Sequence, residues 1–329
     1  MLSHKSKELL SSSKNLLAFS AGVDSTALFF ILKECNIPFD IAIVDYALRS
    51  QSKEEVAYAK ELAKEHNLRC FVKQAPKIEK NFEANARKIR YDFFHELIKR
   101  YEYDNLLTAH HLGDKLEWFL MQLCKGAGTV ELSGMQTTEK RTNYTLIRPL
   151  LHHDKDDLLA YLEKNKIKYF IDTSNYSPQY KRNYFRAKYA TPLLKEYKQG
   201  ILKSFAYLEN DRALLIEELP VHTLNKFTYF QHKNNRSDIY HIDQYLKTKG
   251  LLMSAQEREL LQKQKSLVIG RKYIVTQIGG YICIAPYLRG KTLTKEFKEK
   301  MRKLKIDPKI RPYLAIDPES EALLSFLFS

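Results

Sequence analysis

The sequence predicts an α/β fold in which a parallel sheet is followed by a smaller C-terminal region. In the first half, short apolar runs alternate with amphipathic segments of helical period. Strands that alternate with helices indicate a doubly wound, Rossmann-like parallel sheet with right-handed crossovers. Near Ala190 this alternation stops, and two β-rich runs further on flank Gly279 and Gly280. The C-terminal region is therefore predicted to be mostly helical and α+β, with a hairpin at residues 272–286.

The predicted elements follow one another in chain order. The strands are NLLAFS, FDIAIVDY, RCFVKQ and NLLTAHH, and the helices that follow them are DSTALFFILKECN, SKEEVAYAKELAKEHN, EANARKIRYDFFHELIKRYEY and LEWFLMQLCKG. The segments LIRPLL and DKDDLLAYLEKNKI are predicted to form a second, smaller unit. Helical segments at residues 193–219 and in IDQYLKTKG come next. Because 329 residues exceed one typical domain, we predict two domains, residues 1–190 and 191–329, the second opening with a helical linker.

Composition narrows the class of protein. Hydrophobic residues make up 44% of the chain, but no apolar run is long enough to span a membrane. The first residues lack the apolar core of a signal peptide. The cysteines, Cys35, Cys70, Cys124 and Cys283, lie far apart without a CxxC pair. We therefore expect a cytoplasmic protein with reduced thiols and no cysteine-based metal site.

The charge favours a phosphate-rich partner. The formal net charge is +15, and residues 289–311 hold ten Lys or Arg against three acidic residues, a net charge of +7. A surface of this kind attracts nucleic acid through counterion release. A lysine-rich cellular background would also give a basic chain, but it would not concentrate the charge in one stretch.

The segment SAGVDS lies between a predicted strand and a predicted helix. A tight turn there brings the backbone close to a phosphate, and the free N–H groups at the helix start point toward the anion. The residues predicted to bind a nucleotide in this way are Ser20, Ala21, Gly22, Val23, Asp24, Ser25 and Thr26. Asp24 is also the candidate ligand for Mg²⁺ on the phosphates. An ordinary capped helix start is the alternative interpretation.

Further polar residues follow the next strands. Asp45 ends the second strand, and ligands of doubly wound folds sit at the carboxyl ends of strands. Arg87 and Arg90 are one helical turn apart and could clamp a phosphate, although a solvated helix face would look the same. After the fourth strand, His110 and Asp114 are spaced i, i+4. This pair, with Glu117 nearby, suits a carboxylate that holds Mg²⁺ or steers an amine, although loop histidines beside a charged helix are the plainer alternative.

The order of these motifs resembles that of the tRNA(Ile)-lysidine synthetases, which belong to the PP-loop ATP pyrophosphatases. The similarity runs from about residue 17 to about residue 186. It includes SxGxDS, VDxxLR, ExxARxxRYxxF, AHHxxDxxE, KGAGxxxLSGM, IRPLL, DTSN at residues 172–175, and RNxxR from Arg182 to Arg186. One departure is Ala21 in place of a glycine, which would strain the turn by about 1 kcal/mol if φ is positive there. Others are Tyr46, Ala47, Lys115, Trp118 and Lys125.

The resemblance implies an ATP-dependent ligase that forms a carbon–nitrogen bond. Such an enzyme adenylates the C2 oxygen of the wobble cytidine in tRNA(Ile) with a CAU anticodon, and free L-lysine then displaces AMP. ATP and Mg²⁺ are the implied cofactors. The implied catalytic residues are Asp24, Arg90, His110, Asp114 and Arg182, with Arg87 and Glu117 as second choices. Residues 191–329 would recognise tRNA, and a homodimer is compatible with the sequence.

Two rival functions follow from the same features. A tRNA thiolase shares the phosphate loop, but the thiolases that use paired or clustered cysteines need residues that this chain lacks. A nucleic-acid-binding protein with an inactive nucleotide fold would share the charge. The intact Ser20, Gly22, Asp24 and Ser25 argue against that second rival.

Overall fold

The structure is a computed structural model that describes residues 2–47, 51–141, 143–171 and 181–328. The chain divides into two compact units, Met1–Glu209 and Asn210–Ser329. The predicted domain boundary at residue 190 stays a prediction.

The first unit is built on a six-stranded sheet in the order β3-β2-β1-β4-β6-β5. Its strands are β1 (Asn15–Ala18), β2 (Phe39–Asp45), β3 (Cys70–Gln74), β4 (Asn105–Leu107), β5 (Thr138–Lys140) and β6 (Thr145–Ile147). The pairings are parallel except that of β5 with β6. Strand order reverses at β1, which lies between β2 and β4, and a ligand crevice opens beyond the strand ends at such a point. The four predicted strands and the α/β class are confirmed.

The helices of this unit lie between and after the strands. They are α1 (His4–Ser11), α2 (Val23–Glu34), α3 (Gln51–Glu65), α4 (Phe82–Tyr101), α5 (Leu112–Leu123), α6 (Thr129–Leu132), α7 (Lys155–Lys164) and α8 (Lys181–Phe185). A π-helical turn, Arg186–Ala190, and the start of α9 (Thr191–Leu215) follow. The predicted helices up to α5 are therefore confirmed.

Both faces of the sheet are buried, as a doubly wound fold requires. Neighbouring residues of β1 point to opposite faces: Leu17 packs with α2, α3 and α7, whereas Leu16 packs with α4. Leu107 and Leu106 of β4 divide in the same way. Strands buried on both faces read as continuous apolar runs, which is why NLLA and NLL carry so little polar character.

The prediction that LIRPLL and the helix after it form a second unit is wrong. Its strand, β6, joins the main sheet beside β4, and Leu146 and Ile147 are fully buried there. The helix α7 packs Leu158 and Leu162 into the same core as α2. An apolar run flanked by one short helix cannot bury its own surface, so it completes the existing sheet instead.

The second unit contains a five-stranded antiparallel sheet in the order β7-β8-β11-β10-β9. Its strands are β7 (His222–Leu224), β8 (Phe227–Gln231), β9 (Ser266–Ile269), β10 (Tyr273–Ile278) and β11 (Tyr281–Pro286). The predicted hairpin at Gly279 and Gly280 joins β10 to β11 and is confirmed. The helices are α10 (Asn235–Thr248), α11 (Ala255–Lys263), α12 (Lys295–Lys303), α13 (Arg311–Leu314) and α14 (Pro318–Phe328).

Separate apolar clusters cover the two faces of this second sheet, so the unit is α+β as predicted. Within the described residues of the whole chain, no helix combines the length and apolar character needed to cross a membrane.

The position of α7 predicts a stability effect. Leu158→Ala should lower the free energy of unfolding by about 2–5 kcal/mol, because it opens a cavity beneath α2. Thermal unfolding followed by circular dichroism would measure the loss. Leu9→Ala, at a leucine that is 41% exposed, is the matched control and should change stability little. Equal effects of the two substitutions would contradict the assignment of α7 to the main core.

Candidate active site

The loop between β1 and α2 is held by its own serines. The Ser20 N–H donates to Ser25 Oγ at 3.2 Å, and the two hydroxyl oxygens lie 3.1 Å apart. Ser25 Oγ in turn donates to the Gly22 carbonyl at 3.2 Å. These contacts hold the turn of the predicted phosphate loop. The N–H groups at the start of α2 then face the crevice at the sheet edge.

The left-handed residue of this loop is Ala21, with φ of +57°. The expected strain of about 1 kcal/mol therefore applies at this position. Ala21 is fully buried, and its carbonyl accepts the Phe170 N–H at 2.9 Å, which fixes the turn. Gly22 caps α2 in extended conformation with φ of −76°, so the backbone itself does not require a glycine at that position.

Asp24 is the second residue of α2 and lies in the first turn of that helix. Its Oδ1 is buried and has no hydrogen-bond partner among the described residues. Burial raises the pKa of Asp24, and the nearby His111 opposes that rise. An unpartnered carboxylate oxygen beside a phosphate loop is suited to bind a cation. Val23 and Thr26 are buried in the same turn, and the Thr26 hydroxyl likewise has no partner within the described part of the chain.

A first cleft of about 230 Å³ lies beside the loop. Its lining comes from the ends of β1, β2 and β4 and from one face of α4: Ala18, Phe19, Ser20, Asp24, Ser25, Val44, Tyr46, Arg87, Arg90, Tyr91, Phe94, Thr108, Ala109, His110 and Asp114. The structure thus brings together Ser20, Asp24, Ser25 and both predicted arginines. Apolar walls with two guanidinium groups and a phosphate loop suit a nucleotide.

Asp45 and Thr26 do not line this cleft. The Asp45 carboxylate accepts the Ala47 N–H at 2.7 Å and so closes the turn after β2. The neighbouring Tyr46, not Asp45, lines the cleft. Its hydroxyl donates to the Ala86 carbonyl at 2.9 Å. A nucleotide role for Asp45 stays a prediction.

The consecutive histidines after β4 have different surroundings. His110 Nδ1 lies 2.9 Å from Thr108 Oγ1, and burial lowers the pKa of His110 from 6.5 to about 4. His110 is therefore neutral at neutral pH. His111 caps α5: its Nδ1 accepts the Gly113 N–H at 3.0 Å, which leaves the proton on Nε2. That nitrogen lies 4.0 Å from Asp24 Oδ2 and 3.7 Å from Asp114 Oδ2.

Four charged side chains form a cluster of ion pairs next to these histidines: Asp114, Glu117, Arg182 and Arg186. Arg182 Nη2 lies 2.6 Å from Asp114 Oδ1, and its Nε lies 2.9 Å from Glu117 Oε2. Arg186 donates through Nε and Nη2 to the two oxygens of Glu117, at 2.5 and 3.2 Å. Glu117 is only 1% exposed. Two carboxylates and two guanidiniums balance, so the cluster is neutral, and it is partly buried because the arginine side chains are 36% and 31% exposed.

The cluster holds Asp114 as a carboxylate. Burial alone would raise its pKa, but His111, His110, Arg182 and the His111 backbone N–H together hold the pKa of Asp114 well below its usual range. The His111 N–H donates to Asp114 Oδ2 at 3.0 Å. Asp114 is therefore ionised throughout the physiological range and available to a cation.

Arg182 was predicted from the sequence as a site residue, whereas His111 and Arg186 were not. The i, i+4 spacing of Arg182 and Arg186, equal to that of His110 and Asp114, was a usable signal. It was weak because α8 ends at Phe185 and a π-helical turn carries Arg186. The motif at residues 172–175 and the residues Leu48 and Arg49 of VDxxLR lie outside the described residues.

A second cleft, of about 160 Å³, adjoins the first. Acidic and basic side chains line it together: Asp24, His111, Gly113, Asp114, Glu117, Asp154, Lys155, Asp156, Arg186, Ala190, Thr191, Leu194 and Lys195. Asp24 and Asp114 belong to both linings. The two clefts therefore meet at these carboxylates.

The departures at Lys115 and Trp118 have local partners. Lys115 is 2% exposed, forms an ion pair with Glu209 of α9, and lies 4.7 Å from the centre of the Phe205 ring. Trp118 packs so closely on Gly134 that a Cβ there would lie 2.6 Å from the indole nitrogen. Both departures lie on α5 and anchor it to neighbouring segments.

Comparison with known proteins identifies the family. A family model described as a PP-loop domain matches residues 2–193. Three proteins named tRNA(Ile)-lysidine synthase are similar over 93% of this chain. Those of Helicobacter pylori strain J99, Wolinella succinogenes and Campylobacter jejuni strain RM1221 are 44%, 46% and 42% identical, with 90%, 94% and 94% of their own lengths covered.

The chain belongs to the tRNA(Ile)-lysidine synthase family. It is accordingly an ATP-using enzyme of the PP-loop pyrophosphatase type. Among solved structures, the U34-tRNA thiolase NcsA of Methanococcus maripaludis is similar, with a TM-score of 0.52 and 17% identity over 61% of this chain and 74% of the thiolase. That similarity shows the shared fold alone.

The thiolase alternative is not favoured. The thiolase NcsA was solved with its iron–sulfur cluster. In the described ranges of this chain, no group of three or more His, Cys, Asp or Glu side chains is arranged to hold a metal ion. The matches over nearly the whole chain are to lysidine synthases.

The lowered pKa of His110 predicts a pH effect on stability. As pH falls from about 6.5 to about 4, the unfolded chain takes up a proton that the folded chain resists, so stability falls across that window. His110→Gln should lose this component, and its thermal midpoint should depend less on pH than that of the wild type. His4→Gln, at a surface histidine, is the control. Parallel pH profiles for wild type and His110→Gln would contradict the buried, neutral state of His110.

Proposed function

We propose that this chain ligates lysine to C2 of the wobble cytidine of tRNA(Ile) with a CAU anticodon, which forms lysidine. ATP first adenylates the C2 oxygen and releases pyrophosphate. The lysine ε-amine then attacks C2, and AMP leaves with that oxygen. The observation that carries the proposal is the meeting of two clefts at Asp24 and Asp114, within a chain of the lysidine synthase family.

The first cleft suits ATP and the cytosine that it activates. The loop residues Ser20 and Ser25 and the N–H groups at the start of α2 would hold the phosphates. Arg87 and Arg90 on the opposite wall would offset the charge of the departing pyrophosphate. His110, neutral in the lining of the first cleft, can exchange a hydrogen bond with the base without adding charge.

Mg²⁺ is proposed as the cofactor of the first step. The donor set fits, because Asp24 Oδ1 is unpartnered among the described residues and lies in the first turn of α2. Magnesium in such sites is bound by one or two carboxylates together with substrate phosphates. When bound, it would neutralise charge on the phosphates.

The second cleft suits lysine. A free amino acid carries an ammonium and a carboxylate at one end and a second ammonium on the side chain. Asp114 is held ionised and can pair with the ε-ammonium, whereas Lys155 and Lys195 can pair with the carboxylate. Only the neutral amine attacks, so the ammonium must first lose its proton, and Asp24, whose pKa burial raises, is better suited to accept it than Asp114, whose pKa is held low. Arg182 fixes the Asp114 carboxylate for pairing with the ammonium.

The remaining partners follow from the same chemistry. We propose that the basic stretch at residues 289–311 and the region 191–329 contact tRNA, and that the reaction takes place in the cytoplasm. A homodimer would be compatible with the proposal.

The proposed reaction is tested by incubating the full chain with a tRNA(Ile) CAU transcript, ATP and labelled lysine. We expect AMP and pyrophosphate to form only when tRNA is present, and nuclease digestion to yield a labelled cytidine derivative. A transcript with a GAU anticodon is the control. Label-free tRNA together with tRNA-dependent AMP formation would instead point to a different nucleophile.

Two substitutions separate the steps. Asp24→Ala should abolish pyrophosphate release, because it removes the proposed cation ligand. Asp114→Asn should preserve pyrophosphate release in a single turnover but slow lysine transfer by about 10–100-fold, the scale of a lost hydrogen bond between charged groups. If Asp114→Asn instead loses adenylation itself, Asp114 serves the metal. Wild-type rates for both steps would remove Asp114 from the site.

Charge reversal tests the tRNA surface on α12 and just after it. Lys298 and Lys305 are exposed, whereas Arg302 donates to Glu299 through Nε and Nη2. Lys298→Glu with Lys305→Glu should weaken tRNA binding and lower its salt dependence by about one unit of slope per lost phosphate contact. Lys33→Glu, on α2 of the first unit, is the control. Unchanged affinity across a salt series would refute the assignment.

A further inference from the structure

An exposed group of aromatic and basic side chains lies on the outside of the segment that carries the arginine pair. Tyr184 is 42% exposed and Tyr189 is 38% exposed, although both are large aromatic residues. Lys188 lies between them, with Nζ 5.1 Å from the centre of one ring and 5.5 Å from the other. We call Tyr184, Lys188 and Tyr189 the tyrosine surface. None of these residues belongs to the lining of either cleft.

The π-helical turn creates this surface. In a π-helix the hydrogen bonds run from residue i to i+5, and here the Thr191 N–H donates to the Arg186 carbonyl. The turn brings the rings of Tyr184 and Tyr189 to 5.9 Å at an angle of 80°. The Lys188 ammonium donates to the Tyr184 hydroxyl at 2.7 Å. The two rings are thus fixed relative to each other at the surface.

The same segment has an inner and an outer face. Arg182 and Arg186 point inward to Asp114 and Glu117. The tyrosine surface points outward from the residues between and just after these arginines. Residues 181–189 contain four basic and no acidic residues. An outward face that combines aromatic rings with positive charge, on the same segment as Arg182 and Arg186, has the chemistry that recognises single-stranded nucleic acid.

We propose that the tyrosine surface stacks an unpaired base that neighbours the modified cytidine, while Lys188 contacts the phosphate between them. This inference rests on the proposed function, because the segment that contacts Asp114 through Arg182 also carries the tyrosine surface. Stacking needs only a ring face, so the surface contributes affinity for the loop rather than reading its sequence. In this proposal, the arginines orient Asp114 and Glu117 on the inner face of the segment, and the tyrosines bind the substrate strand on its outer face.

The test compares ring removal with hydroxyl removal in the full chain. Tyr184→Ala with Tyr189→Ala should raise the Kd for a tRNA(Ile) CAU transcript by about 10–100-fold, the scale of one or two lost stacking contacts. Tyr184→Phe with Tyr189→Phe keeps both rings and should bind within about threefold of the wild type. Tyr101→Ala is the control, because the Tyr101 ring lies beside Arg100 at the end of α4, outside both cleft linings and outside residues 191–329.

Salt dependence separates stacking from charge. The alanine pair should weaken binding by a similar factor at every salt concentration, whereas Lys188→Gln should lower the slope of log Kd against log salt by about one unit. ATP binding and the thermal midpoint of both variants should match the wild type. Loss of either would assign these residues a structural role and overturn the inference.

The remaining outcomes are also decisive. Wild-type tRNA affinity in the alanine pair, or an equal loss in Tyr101→Ala, overturns the inference and leaves the proposed function intact. A change of molecular mass in the alanine pair without a change in tRNA affinity would make the surface an interface between proteins, and it also overturns the inference. If the wild type forms no lysidine while the alanine pair still loses tRNA affinity, the proposed function fails and the RNA surface stands.

Discussion

The buried carboxylate of Glu117 is the constraint on which the site depends. An unpaired charge at 1% exposure would cost several kcal/mol, so the side chain requires partners of opposite charge. Arg182 and Arg186 provide them and share Asp114 as a second acceptor. Both arginine side chains are about one third exposed, so solvent screens part of each interaction. The segment from α8 into the π-helical turn is therefore tied to α5 by charge balance as well as by apolar packing.

This tie sets the geometry of both clefts. Asp114 is fixed from three sides, by the guanidinium of Arg182, by the His111 N–H and by the His111 imidazole. Its carboxylate then faces Asp24 across His111, which lies within 4.0 Å of both. The phosphate loop, in contrast, is folded by Ser20 and Ser25 and does not depend on the cluster. Nucleotide binding and amine delivery can consequently be perturbed separately, although they share two carboxylates.

Local patterns were enough to predict the strands that build the main sheet, because residues buried on both faces leave continuous apolar runs. The position of the phosphate loop and the condition for strain at Ala21 were predictable for the same local reason. The placement of α7 was not, since chain order does not say which sheet an apolar helix completes. Arg186 was missed because its role requires both a π-helical turn and a carboxylate 69 positions away in the chain. Thr26 matched the loop pattern, but burial places it beneath the loop rather than in the cleft.

In the proposed mechanism, the neutral cluster around Glu117 presents Asp114 to the lysine amine while the nucleotide site works independently. The most direct test is Glu117→Gln, which keeps the shape of the side chain but leaves two guanidiniums against one carboxylate. The apparent Kd for lysine in single-turnover transfer should rise by about tenfold or more, as expected for the loss of a charged hydrogen bond, while the rate of tRNA-dependent pyrophosphate release stays near that of the wild type. Two results would contradict this mechanism. One is wild-type affinity for lysine in this variant, and the other is loss of pyrophosphate release with lysine affinity retained.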